Sequence, residues 1–260
     1  MTDTPVEQAP AAEEAPARDL PWGDVVPEHF QLLRLLPLPT DRASGPRPLR
    51  FVQFGRVERH NPLLSLLRLE IQLVGQRVRK EQNRLDVWVD HVQQVVFSEP
   101  ATLSMEPINR GLGRFLLAQA AAWLNARWPA YRIEGAELPN RDAIVEDTRL
   151  RRDHVLRMHG FDVMYEDPQH LKGRYGELRV SMLLPQWNPE KVQAVDLLDA
   201  ANMLQVADHQ LQDAEIKLRK RDEQIAKFRR EDGSLRFTIV CLVAFSVFQA
   251  GVLIWMATHR

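Results

Sequence analysis

The chain carries one cysteine, Cys241, and it lies inside an uncharged apolar run. A disulfide framework is therefore excluded, and no Cys/His zinc spacing is present. The rest of the chain has no cysteine at all, which fits a reducing compartment. An excess of charge is lacking too. Lys and Arg number 34 against 35 Asp and Glu, a formal net charge of -1, so nucleic acid is not the expected partner. There is no Gly-x-Ser-x-Gly elbow and no phosphate loop ending in Gly-Lys-Ser/Thr. The start, MTDTPVEQAPAAEEAPARD, is acidic and polar and has no apolar signal segment. Residues 1–26 are rich in Ala, Pro and Glu with few large apolar side chains. Such a stretch cannot bury enough surface to order itself, and it reads as a disordered tail.

What the chain does have is one long apolar run. From Phe237 to Ala257 there are 21 residues without a charge. At about 1.5 Å per residue a helix of that length spans about 30 Å, the thickness of a bilayer core. The reading is a single transmembrane anchor over 235–258. A buried C-terminal helix is the alternative, but a soluble helix does not need to be apolar on every face. Thr238 and Ser246 can bond their own backbone, and Gln249 with Ala250 and Gly251 forms a candidate contact face. Lys217, Arg219, Lys220, Arg221, Lys227, Arg229, Arg230 and Arg236 precede the run, whereas Arg260 and His259 follow it. Positive residues stay on the cytoplasmic side, so the N-terminal part is expected in the cytoplasm. The Arg-heavy, Lys-poor composition fits a bacterial inner membrane. The basic stretch can also lie on anionic headgroups.

Residues 27–187 have the length of one domain. Phe30 to Leu36 and Leu49 to Phe54 read as strands bounded by prolines. Asn61-Pro62 reads as a helix start, followed by Leu63, Leu67, Ile71, Val74 and Val78 at helical spacing. Leu67, Leu69, Ile71 and Leu73 also alternate, so a strand remains open there. Residues 83–98 fit strand and helix equally well. Ala101 to Met105 is a strand candidate, and Pro107 to Gly113 a turn. Arg114 to Arg127 is rich in Ala and Leu and reads as a helix. Tyr131 to Leu138 reads as a strand, Arg149 to His159 as a helix stopped by Gly160, and Phe161 to Tyr165 and Leu178 to Leu184 as strands. The order is α/β.

Residues 188–234 change character. Leu197, Leu204, Leu211, Leu218 and Ile225 recur every seven residues. Ala200, Ala207, Ala214, Arg221 and Phe228 follow three residues after each. That is an a/d seam, and small Ala at d allows close approach, so a coiled-coil homodimer is expected. A lone amphipathic helix packed on its own domain is the alternative. Gly233-Ser234 is expected to break the rod before the membrane.

The most specific local pattern is LSMEPINRGLGRFLL, Leu103 to Leu117. A Gly-rich turn opening a helix exposes unpaired N–H groups at the positive end of the helix dipole, a geometry suited to phosphate. Glycines at 111 and 113 permit close approach, and Arg110 and Arg114 add charge. Glu106 on the turn, and Glu134 or Glu137 on the next strand, are candidate bases. His154 and His159 read as solvated residues of a basic helix.

Pro107, Arg110-Gly111-Leu112-Gly113 and Leu116-Leu117, with the following WLNARWPAYRIEGAEL, RRDHVLRMHGFDVMYED and LKGRYGELRVSMLLPQW, resemble the GNAT acyltransferase family over about residues 101–187. The resemblance implies a mixed sheet flanked by helices. It also implies acetyl-CoA or another acyl-CoA as co-substrate and transfer of the acyl group to a protein or small amine. The backbone from Arg110 through Gly111, Leu112 and Gly113 to Arg114 would cradle the pyrophosphate, and Leu103 to Met105 would flank the pantetheine arm. Glu106 and Glu137 would supply the base. Phe115 and Leu156 depart from the family pattern. Phe115 is bulky where a small residue is expected, and Leu156 stands where the family often has a Tyr acid. A catalytically degenerate, membrane-tethered scaffold is therefore the alternative function.

Overall fold

The computed structural model describes residues 20–42, 44–75, 82–99 and 103–258. The chain divides into two compact units, Met1–Asp196 and Leu197–Arg260. In chain order the first unit contains strands His29–Leu35 (β1), Leu38–Asp41 (β2), Gly45–Arg47 (β3), Arg50–His60 (β4), Leu64–Leu73 (β5), Arg84–Asp90 (β6) and Val95–Ser98 (β7). Helix Leu112–Arg127 (α1) follows, then Arg132–Ile133 (β8) and Ala136–Glu137 (β9). Helices Asn140–Ala143 (α2) and Glu146–Met158 (α3) precede Val163–Tyr165 (β10), Gly173–Tyr175 (β11) and Leu178–Arg179 (β12). A 3-10 turn at Val180–Met182 and strand Val192–Val195 (β13) complete the unit.

Eight strands form one sheet in the order β12-β8-β7-β6-β5-β4-β1-β13. β7 runs parallel to β8 across the α1 crossover, and the other neighbours are antiparallel. A smaller sheet has the order β10-β11-β9.

The helix expected after Asn61-Pro62 is a strand, β5. Asn61 does act as a local cap, but of a hairpin: its Oδ1 accepts the N–H groups of Leu63 and Leu64 at 2.9 and 2.6 Å. Of the residues at helical spacing, Leu67 and Ile71 share one face of β5, Leu63 and Val74 flank the strand, and Val78 lies outside the described residues. Leu67, Leu69 and Ile71 face the main core with α1, whereas Leu66 packs with Trp88, Phe97, Leu20 and Trp22. On that second face Arg68 grips Asp86 through two 2.9 Å hydrogen bonds, both side chains buried. Arg68 also donates to the Val25 carbonyl. The segment from Leu20 to Val26, expected within the disordered tail, is thus tied to the sheet, and Trp22 stacks on Trp88. Residues 1–19 of that tail lie outside the described residues.

Residues 83–98, open in the sequence, are β6 and β7. Residues 103–105 pair with no strand, and 101–102 of that expected strand lie outside the described residues. The strand expected over Tyr131 to Leu138 is split between the two sheets as β8 and β9. Leu178 to Leu184 becomes a two-residue strand and the 3-10 turn. β13 pairs with β1 in register Leu32 to Val195, so the folded unit ends at Asp196 rather than at Trp187.

The second unit is one helix, Leu197–Thr258 (α4), of 62 residues. It continues through Gly233-Ser234. One Gly costs a helix interior only about 1 kcal/mol, too little to stop so long an element. Leu197, Leu204, Leu211, Leu218, Ile225 and Phe228 are all exposed on it. Its last 24 residues, Leu235–Thr258, are long and apolar enough to cross a membrane, with mean hydropathy 2.4 and none buried. Within them the Ser246 and Thr258 hydroxyls donate to backbone carbonyls one turn earlier, Leu242 at 2.7 Å and Ile254 at 2.9 Å.

Candidate functional site

α1 is the element around which the candidate site is built. It lays Leu112, Phe115, Leu116, Ala120, Ala121, Trp123 and Leu124 onto the sheet. Its small Ala residues let the helix approach closely. Its N-cap is Gly111, at φ 84, with no side-chain cap hydrogen bond. The first N–H groups of the helix thus lack a side-chain acceptor. A side chain at Gly113 would meet Met105 and Leu103 at 3.5 and 3.6 Å, so the turn and the 103–105 segment lie against each other. That segment is positioned by Asn83, whose N–H donates to the Ser104 carbonyl at 2.8 Å and whose Oδ1 accepts the Glu106 N–H at 2.5 Å.

β7 and β8 are paired only at Val95 with Arg132 and Val96 with Ile133. Beyond this, β7 stays with β6 to Ser98, whereas the chain after Glu134 leaves for the smaller sheet. Where the two strands part, a mostly apolar cavity of about 170 Å³ opens. Its walls include Val96, Phe97, Ser98, Leu103, Leu117, Leu138 and Leu156.

Polar groups reach the same cavity. His159 is 1% exposed and lines it. Its Nδ1 lies 2.8 Å from the Leu184 carbonyl and so carries the proton. Its Nε2 has no hydrogen-bond partner. Burial holds the imidazole below the usual histidine range; the Leu184 carbonyl opposes this, the Arg114 guanidinium adds to it, and the Arg114 backbone opposes it more weakly. The shift favours the neutral ring. Tyr175 also lines the cavity, and burial holds its phenol above the usual range. Arg152 joins it from α3 while bonded to Tyr165 at 2.9 Å and to Asp153 at 3.2 Å.

No family model, no curated protein and no solved structure matches this chain. Its function has to be argued from its own geometry.

The residues singled out in the sequence are divided by the structure. Leu103, Met105, Gly111, Gly113 and the backbone of Leu112 gather at the helix start. Arg114 lies there too, its Nε donating to the Gln186 carbonyl at 3.2 Å. Arg110 does not offer its charge to that space. It is 3% exposed, and its guanidinium donates to the carbonyls of Pro48, Leu35 and Leu36 at 2.9 to 3.0 Å. Phe115 does not face the turn. It points into the core, edge-on to Phe54 at 5.2 Å and to Trp187 at 5.6 Å. Glu106 is exposed and lines a separate basic recess with Arg47, Arg50 and Arg110. Glu137 is exposed on β9, paired in register with Arg174. Neither carboxylate lines the apolar cavity.

His154 is exposed, as expected of a basic helix, but His159 is not. The missed signal was its place beside Gly160, whose φ of 95 turns the chain at the helix end. A residue at that turn points back beneath the helix rather than outward. Among the described residues no group of three or more His, Cys, Asp or Glu gathers as a metal set.

Proposed function

We propose that the first unit is a GNAT-like N-acyltransferase that takes a short acyl group from acyl-CoA, with acetyl-CoA the favoured donor, and passes it to an amine. The observation that carries this reading is the cavity between the parting parallel strands β7 and β8, beside a helix that starts on an uncapped glycine turn. The acyl group would occupy the cavity, and the pantetheine arm would run to it along Leu103 to Met105. The first N–H groups of α1, with Arg114, would face the pyrophosphate. A volume of about 170 Å³ suits a short acyl chain.

His159 replaces Glu106 and Glu137 as the candidate base, because its ring lines the cavity and neither carboxylate does. The amine attacks the thioester carbonyl, a C–N bond forms and the C–S bond breaks. His159 takes the amine proton, and the leaving thiolate is protonated. Leu156 cannot donate that proton, but the Tyr175 phenol lies on the same cavity and is the candidate donor.

We place this unit in the cytoplasm on a single membrane anchor, Leu235–Thr258, and pair two chains through the exposed heptad stripe of α4. The basic run before the anchor supports the orientation. The stripe supports a parallel homodimer, since both helices would enter the same membrane.

A second reading, a catalytically degenerate tethered scaffold, is favoured by Arg110. Its guanidinium is consumed by three carbonyls, which leaves the turn with less charge for a pyrophosphate.

Calorimetry of the full chain in detergent with acetyl-CoA separates the two. Binding that is lost in Gly113→Trp, with turnover lost in His159→Asn, supports the enzyme. No heat at millimolar acetyl-CoA removes it.

A further inference from the structure

A second constellation lies at the other end of the β7–β8 pair, where the strands begin rather than part. The β4–β5 hairpin, the β6–β7 turn and the residue before β8 bring His60, Ser65, His91 and Tyr131 together. Ser65 Oγ lies 2.6 Å from His60 Nδ1 and 2.7 Å from His91 Nε2. His91 Nδ1 lies 3.4 Å from the Tyr131 hydroxyl.

A serine hydroxyl has one proton. It can donate to one ring and must accept from the other. The two histidines therefore take opposite roles. His91 is half-buried against Trp128 at 5.1 Å and Tyr131 at 6.0 Å, and burial and the nearby His60, opposed by Asp90, hold it below the usual range. With its Nδ1–H directed at the Tyr131 hydroxyl 3.4 Å away, its Nε2 is the acceptor toward Ser65. His60, the exposed ring, then directs Nδ1–H at the same oxygen.

Ser65 is 1% exposed to bulk solvent, yet it borders a cavity of about 530 Å³. Trp123, Trp128, Arg127, Glu58 and His60 form the other walls. Glu58 does not compete for the serine proton. Its carboxylate already accepts from Trp123 Nε1 at 2.9 Å, Arg127 at 2.7 Å and Arg56 at 2.6 Å. A hydroxyl that only pins a hairpin needs one partner. Here two imidazoles converge on it at the edge of an aromatic cavity.

We propose that Ser65 is a nucleophile that takes an acyl group from carboxylic esters, with His91 as its general base. Ser65 Oγ forms a bond to the ester carbonyl carbon as its proton passes to His91 Nε2. His60 Nδ1–H, 2.6 Å from Oγ, fixes the hydroxyl so that its proton points at His91. The C–O bond to the leaving alcohol breaks, and the alcohol takes the proton from His91. Water then attacks the acyl-serine, gives its proton to His91 and releases the carboxylic acid. Ser65 recovers its proton. The Trp123 and Trp128 faces suit an ester with an apolar or aromatic body.

The test uses the full chain in detergent micelles and a fluorophosphonate probe, followed by peptide mapping. The expected result is one phosphonate per chain, on Ser65, absent in Ser65→Ala. His91→Phe keeps the ring packing but not the base, and labelling slows by about 100-fold or more. With p-nitrophenyl butyrate the natural sequence gives a nitrophenolate burst of one per chain, and Ser65→Ala gives none. No label on Ser65 in a sample with a folded near-UV spectrum overturns the proposal. Equal labelling rates with and without His91 overturn its role as base. The natural sequence is measured first, so an unfolded variant cannot decide the matter. Neither reagent needs acyl-CoA, so the result is independent of the acyltransferase reading.

Discussion

Arg110→Met separates a brace from a ligand. In the sequence Arg110 is the obvious phosphate contact. In the fold its guanidinium joins three carbonyls, those of Leu35, Leu36 and Pro48, across more than 60 residues of chain. Burial, with Arg50 and Arg47 nearby, holds its pKa below the usual arginine range. A hydrogen bond from a charged donor is worth about 1.5–3 kcal/mol, and the unbranched apolar Met returns part of the loss by packing. A net loss of about 3 kcal/mol is expected. For a unit of this size that is a fall in melting temperature of about 6–12 °C. The assay is thermal unfolding of the full chain in detergent, followed by near-UV circular dichroism. A melting point within about 1 °C of the natural sequence, together with weakened acyl-CoA binding, would refute the bracing role and restore Arg110 to the phosphate.

Three further outcomes are expected. The folded-state pKa of His159 is lowered, so the unfolded chain binds the proton more readily. Stability therefore falls as pH drops through the ordinary histidine pKa of about 6.5, by about 1.4 kcal/mol for each unit of depression. His159→Asn, which keeps a donor for the Leu184 carbonyl, should flatten the difference in melting temperature between pH 7.5 and 5.5; an unchanged slope would place the effect elsewhere. Leu211→Asp puts a charge into the α4 stripe and should turn dimers into monomers in detergent, read by light scattering; a persistent dimer would move the interface. A chain ended at Asp196 should fold and stay in solution without detergent, whereas one ended at Trp187 should unfold at least 5 °C lower, having lost buried Val192 and Val195. Equal melting points for the two would show that β13 adds nothing.

α1, α3 and the apolar C-terminal segment were legible because each is a local statement. Ala and Leu density marks α1, and an unbroken apolar run marks Leu235–Thr258. β5 was ambiguous for a physical reason. Leu67, Leu69, Ile71 and Leu73 alternate on its core face, but Leu64, Leu66 and the buried Arg68 on the other face blur that pattern. Asn61 misled because an Asn side chain accepts backbone N–H groups in the same way at a helix start and at a hairpin. β13 was invisible because it is four residues long and takes its partner, β1, from about 160 residues earlier.

The candidate site was legible in its backbone and not in its side chains. The glycine turn at the start of α1 and its contact with the 103–105 segment were legible, because backbone conformation follows closely from local sequence. Which side chains face the cleft depends on long-range packing. Arg110 turned to β1 because three carbonyls of a distant loop and strand end needed a donor. His159 turned inward because the chain reverses at Gly160 and offers the Leu184 carbonyl to its Nδ1. The His60–Ser65–His91 set is harder still. His60 and Ser65 are five residues apart across one hairpin, but His91 joins them only when β5 and β6 align with Ser65 opposite Val89. Motif spacing carries no trace of such a register. A hydroxyl between two imidazoles is therefore a property of the sheet's register, not of any local motif.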